Sequence, residues 1–224
     1  MHQRQEHARD RRTLAAALGG IGFSVLTLLA VIVGNVPGGN YTAAQVADYL
    51  GRGHRVPVII VFHLALLGIL GLVAVLAHVR ENIASSRAAS IVWGTGLAAA
   101  ACFAIGWGVE GGQVVAHLEG GSAIAIPPAV TYLISEIGVV FVFGCGAILL
   151  GLALIVLSVS SGAPLPGWLR WVTLVCGVGG VAGLAFFPFF ILTLWGLAIG
   201  LWLLAASRRG PMHQGKLAAG GVRP

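Results

Sequence analysis

The chain has 224 residues, 58% hydrophobic and only 9% charged, where an ordinary soluble domain carries about a quarter charged residues. The apolar residues fall in long blocks rather than amphipathic stripes, which excludes a water-soluble core and surface and leaves lipid as the solvent. The net charge of +6 does not indicate nucleic acid, because the basic residues lie in short segments between the blocks, with no basic helix face and no arginine-flanked aromatic platform.

A spanning helix needs about 20 apolar residues to cross a hydrocarbon core about 30 Å thick. Residues 1–13 form a basic tail, and the first span covers 14–36. Arg11-Arg12-Thr13-Leu14 resembles a twin-arginine export signal, but further spans follow and no small-residue cleavage site stands out, so the first helix reads as uncleaved. Beyond it, Thr42 to Gln45 has capping-box spacing, Val46, Tyr49 and Leu50 make one apolar face, and Gly51 supplies a stop. Residues 43–50 are therefore expected to form a short extracytoplasmic helix on the membrane surface. The second span is 57–78, with Pro57 at its start, where a missing N–H costs least. The third is 90–112. The fourth, 127–157, is about thirty residues long, enough to tilt or to project beyond the bilayer.

From Trp168 the chain stays apolar for too long to be one span. Proline disfavours helical geometry in the residue before it, so a break at Phe186-Phe187-Pro188 gives spans 168–187 and 188–206, and a tail of 207–224. Without that turn there would be five spans and an external C-terminus. Charge decides between the two. With six spans, eleven of the thirteen basic residues fall on one side, leaving only Arg52 and Arg55 on the other. That is the positive-inside asymmetry. The expected fold is all-α: an integral membrane bundle of six transmembrane helices with both termini in the cytoplasm, spanning 14–206.

Small residues recur four apart at Ser90/Gly94, Ala104/Gly108, Ala147/Gly151, Gly179/Gly183 and Gly196/Gly200. Such pairs let helix backbones approach closely in lipid. They read first as packing faces within the bundle, with a homo-oligomer or a membrane-protein partner as the alternative. Cys102, Cys145 and Cys176 lie inside apolar blocks and read as small hydrophobes. There is no CxxC pair, zinc spacing, HExxH, GxSxG or phosphate loop, and no paired histidines for a haem. No metal and no cofactor is expected.

Ionisable residues inside spans are costly and therefore candidates for function. Glu136 is nine residues after Pro127, about 13 Å into its helix at helical rise. His63 is six residues after Pro57, about 9 Å in. Glu110 stands near the outer end of the third span. Tyr132 is one turn from Glu136 on the same face, Gln113 is three residues from Glu110, and His117 follows in the outer segment. Together they outline a polar pocket in the outer half of the membrane, able to relay protons, bind a cation, or act as general acid and base. The alternative is that each is a hydrogen bond holding helices together.

The run Ile137-Gly138-Val139-Val140-Phe141 leading to Leu149-Leu150-Gly151, then Pro164-Leu165-Pro166-Gly167-Trp168-Leu169 and Val175-Cys176-Gly177-Val178-Gly179, resembles the bacterial multi-span family known as domain of unknown function 4386. Gly53-His54-Arg55-Val56 before the second span is also similar to that family. The resemblance implies a helical bundle and assigns no activity and no functional residue. High Ala, Gly, Val, Leu and Arg usage with a single Lys points to a GC-rich bacterial genome, hence to the bacterial inner membrane. The leading functional expectation is a non-enzymatic bundle that binds or moves a small or lipophilic molecule or an ion through the polar pocket. The alternatives are an intramembrane enzyme on a lipid or isoprenoid, with Glu136 as acid or base, and an accessory subunit of a membrane complex.

Overall fold

The computed structural model describes residues 2–34, 42–49, 55–120, 126–160, 163, 165–185 and 189–208. Every element among them is helical: α1 (His2–Gly34), α2 (Ala43–Tyr49), α3 (Arg55–Asn82), α4 (Ser86–Gly120), α5 (Pro128–Val139), a π-helical segment (Val140–Gly146), α6 (Ala147–Val159), α7 (Gly167–Val181), a 3₁₀ turn (Ala182–Ala185) and α8 (Phe189–Arg208). The helix starts follow local chemistry. Pro127 and Pro128 open α5, and Pro166 precedes α7, positions where the absent N–H would be unpaired anyway. The Ser85 hydroxyl accepts the Ala88 amide at 3.3 Å and caps α4. For α2 the capping box forms: the Thr42 amide donates to Gln45 Oε1 at 2.8 Å and the Gln45 amide to Thr42 Oγ1 at 3.3 Å.

Packing pairs show that each long helix runs antiparallel to the next. Arg12 meets Glu81 and Gly19 meets Gly71 between α1 and α3; Arg80 meets Trp93 and Phe62 meets Trp107 between α3 and α4. Gly106 meets Gly138 and Gly146 meets Phe103 where α4 packs on α5 and the π segment. Gly151 meets Gly177 between α6 and α7, Gly179 meets Ile191 between α7 and α8, and Gly20 meets Gly196 and Gly200 between α8 and α1. The last contact closes the helices into a ring. The start of α1 and the end of α8 therefore lie at the same end of the bundle. Gly19 and Gly20 let α1 sit against two helices at once, since a side chain at either would strike the opposing backbone.

The core is apolar, with Phe23, Phe62, Leu72, Phe103, Leu150, Leu192 and Trp195 fully buried. The outside is equally apolar: Leu18, Leu67, Leu70, Leu133 and Leu194 are all exposed. A surface of that kind is stable in hydrocarbon and not in water. Among the described residues five helices are long and apolar enough to cross a membrane: Asp10–Gly34, Val56–Asn82, Ser86–Ala116, Pro128–Val159 and Phe190–Arg208. Helix α7, at 15 residues, is shorter. The turn expected at Phe186-Phe187-Pro188 and the C-terminal tail lie outside the described residues.

Candidate functional site

The seam between α4 and α5 carries a polar cluster inside the apolar ring. Glu110 on α4 is only 2% exposed. Ser135 on α5, fully buried, donates its hydroxyl to Glu110 Oε2 at 3.1 Å. Gln113, one turn from Glu110, donates its amide Nε2 to the same Oε2 at 3.1 Å and to Ser135 Oγ at 3.2 Å. The antiparallel seam sets these three side chains at one level. Gly138, three residues beyond Ser135 on the same face, completes the notch, since a Cβ there would run into the Glu110 carboxyl.

One carboxyl oxygen thus accepts two hydrogen bonds while the other, Glu110 Oε1, is buried and has no partner among the described residues. Leaving a buried acceptor unpaired costs about 1–3 kcal/mol, so such an atom inside a bundle calls for a reason. Glu110 faces a cleft of about 230 Å³ that also has Val31, Trp107, Gly138, Val142 and Phe143 on its walls. Two of those, Val142 and Phe143, belong to the π segment. Widened helical turns of this type recur at functional sites because they redirect side chains without ending the helix. Gln113 repeats the pattern: its Oε1 is also buried and has no partner among the described residues, and the residue lines a second groove of about 260 Å³ between α4 and α5.

Of the residues singled out by sequence, Glu110 and Gln113 are brought together. Because α4 continues to Gly120, Glu110 sits ten residues, about 15 Å, from the helix end. Glu136 is half-buried, about 100° around α5 from Ser135, with Tyr132 half-buried one turn before it. His63 is exposed on α3, its Nδ1 2.7 Å from the Ile59 carbonyl. It lines a separate groove of about 430 Å³ with Glu119, Phe62 and Gly111, on the α3 side of α4. The backbone of His117 continues α4, and its side chain lies outside the described residues. Ser135 was not anticipated, although a small hydroxyl three residues before a glycine within a span is the signal that would have marked it.

The glycines find their places within the bundle. Gly196 packs on Ser24 and Gly20, and Gly200 on Ala17 and Ile21 of α1; Gly179 faces Ile191 of α8, and Gly183 the Phe143 carbonyl. Gly94 and Gly108 meet nothing within 4 Å. Cys102 is half-buried, Cys145 exposed and Cys176 buried, all as free thiols. Among the described residues no three His, Cys, Asp or Glu converge on a possible metal position. Compared with known proteins, the chain matches no family model, no curated protein and no solved structure.

Proposed function

We propose that this chain is a six-span protein of a bacterial inner membrane that binds, and in binding can pass on, a small lipophilic molecule or ion at Glu110. Several observations support the span count. Helix α7 is 15 residues and the 3₁₀ turn 4, which at their respective rises makes about 22 Å and 8 Å, together about the thickness of a hydrocarbon core. Its antiparallel packing on α6 and α8 fits a sixth crossing. Arg11, Arg12, Arg80, Arg87, Arg170 and Arg208 gather at one end of the bundle, and exposed Trp168 and Trp171 stand beside them, as in an interfacial belt. That end is assigned to the cytoplasm, which puts Glu110 in the outer half. Membership of the domain of unknown function 4386 family is proposed on the quoted motifs alone.

The observation that carries the binding function is Glu110, whose Oε1 has no partner among the described residues and which lines a cleft with otherwise apolar walls. Pockets for small molecules have this form, mostly apolar with a few convergent polar groups. A binding role is preferred to acid–base catalysis because Glu110 is the one titratable group among the described residues lining the cleft. Of the small-residue pairs behind the accessory-subunit alternative, α1 already covers Gly196 and Gly200, while Gly94 and Gly108 stay open to a partner.

The test is a thermal-shift screen of detergent-solubilised protein over lipids, small hydrophobic ligands and monovalent and divalent cations, with wild type and Glu110→Gln side by side. At least one compound class should stabilise wild type and not the variant, with a shift growing with ligand concentration. Identical responses of both proteins throughout would sink the proposal.

A further inference from the structure

The Glu110–Gln113–Ser135 cluster separates two cavities. The cleft of about 230 Å³ lies inside the ring, since Val31 of α1 is on its wall opposite α4 and α5. The groove of about 260 Å³ lies on the outer flank of the α4–α5 seam, lined by Val109, Gly112, Gln113 and Ala116 of α4 and Thr131 and Ile134 of α5. Gly112 and Ala116 are exposed, and a Cβ on Gly112 would meet nothing within 4 Å. In a bilayer that flank faces lipid. One amide joins the two spaces: Gln113 Nε2 donates to Glu110 and Ser135, its buried Oε1 has no partner among the described residues, and the residue lines the groove.

We propose that the seam takes lipophilic primary amines, bound as organic ammonium ions, which enter sideways from the membrane, dock at Gln113 Oε1 and pass to Glu110 Oε1. This inference rests on the reading of Glu110 as a ligand anchor and adds the ligand's class and its route.

In the bound pair both open atoms are acceptors, so each needs a donor. A free primary amine supplies two, enough to engage Gln113 Oε1 on the way, and the ammonium formed at Glu110 supplies three. No Lys, Arg or His is among the described residues lining either cavity, so no resident cation competes for the carboxyl. Trp107 and Phe143 line the cleft beside Glu110, and aromatic faces attract an ammonium and pack against an aryl or alkyl body. The remaining walls are apolar, which suits a hydrocarbon body and penalises a strongly hydrated inorganic ion. Lateral entry follows from the same chemistry. A free amine dissolves in lipid, and on meeting the neutral Glu110 carboxyl it takes that group's proton, so that the resulting ammonium–carboxylate pair has no net charge. No isolated charge crosses the hydrocarbon on the way.

The experiment uses full-length protein in nanodiscs and three probes of similar shape: 2-phenylethylamine, 2-phenylethanol and 3-phenylpropionate. Equilibrium binding is read by calorimetry and association by surface plasmon resonance. The amine should bind about tenfold or more tighter than the alcohol, the carboxylate should not bind, and Glu110→Gln should erase the amine's advantage. Ile134→Trp, which fills the groove away from the carboxyl, should slow association about fivefold or more with Kd nearly unchanged. If that variant does not fold, Gly112→Leu blocks the same groove from an open position. Equal binding of amine and alcohol would overturn the ammonium class and leave Glu110 as an anchor. Unaltered association in the blocked variants would overturn the lateral route. Failure of all three probes, together with a failed ligand screen on Glu110→Gln, would remove the anchor itself.

Discussion

At the scale of single residues, the site depends on what Gly138 lacks. A methyl group at 138 would occupy the space of the Glu110 carboxyl, and overpacking of that kind costs about 1–3 kcal/mol. Gly138→Ala should therefore lower the unfolding temperature in detergent. In a Glu110→Ala background the same change should cost nearly nothing, because the colliding group is gone. Equal costs in the two backgrounds would mean that the notch does not hold the carboxyl. A second pair anchors α8. Trp195 is fully buried and donates its indole N–H to Thr173 Oγ1 at 3.1 Å, while that hydroxyl donates to the Leu169 carbonyl at 2.7 Å. Thr173→Val strands the indole and should destabilise the protein by about 1–3 kcal/mol, with Thr173→Ser restoring most of it. The sequence makes Glu110 and Gln113 visible as polar residues at helical spacing. It cannot rank Glu110 against Glu136, because position along a span gives depth alone, whereas burial depends on which way each face of the helix turns. Ser135 is fully buried and bonds Glu110 of α4, while Glu136, one residue on, is half-buried. That rotation is a property of two packed helices and is not encoded in either alone.

At the scale of elements, local chemistry is the most readable part of the chain. The Thr42–Gln45 capping box forms where its spacing places it, and α2 follows directly from it. The π segment was legible only as excess length in the fourth apolar run, since a helix longer than the bilayer can also tilt. A π turn carries one more residue per hydrogen-bonded ring than an α turn, so it inserts length without disturbing the faces on either side. Removing one residue from it, such as Gly144, should close the bulge, keep α5 and α6 in register with α4 and α7, and leave thermal stability near that of wild type. Binding at Glu110 should nevertheless be lost, because Val142 and Phe143 no longer line the cleft. Deleting Leu152 from α6 instead turns one part of the helix by about 100° against the other, which misaligns Gly151 from Gly177 and should abolish folding. Fluorescence-detection size exclusion separates these outcomes. Equal damage from both deletions would mean that the π segment has no special tolerance.

At the scale of the whole molecule, charge and packing support the proposed six-span topology by different routes. The sequence places eleven of thirteen basic residues on one side if six spans are counted. The helix contacts independently put the start of α1, the α3–α4 connection and the end of α8 at one end of the bundle, through Arg12–Glu81, Arg80–Trp93 and Ala17–Gly200. The first argument concerns insertion and the second concerns a folded contact surface; Arg12 and Arg80 enter both, whereas the Ala17–Gly200 contact belongs to the second alone. Their joint consequence is measurable with a membrane-impermeant maleimide on intact cells, after Cys102, Cys145 and Cys176 are replaced by Ala. Single cysteines at Ser86, the first residue of α4, and at Arg208, ending α8, should be protected until the cells are lysed, whereas one at Thr42, beside α2, should label at once. A five-crossing chain would label at Arg208 as readily as at Thr42 while Ser86 stayed protected. That result would place α7 on one side of the membrane and leave its apolar outer face, including Val175 and Val178, without lipid to cover it.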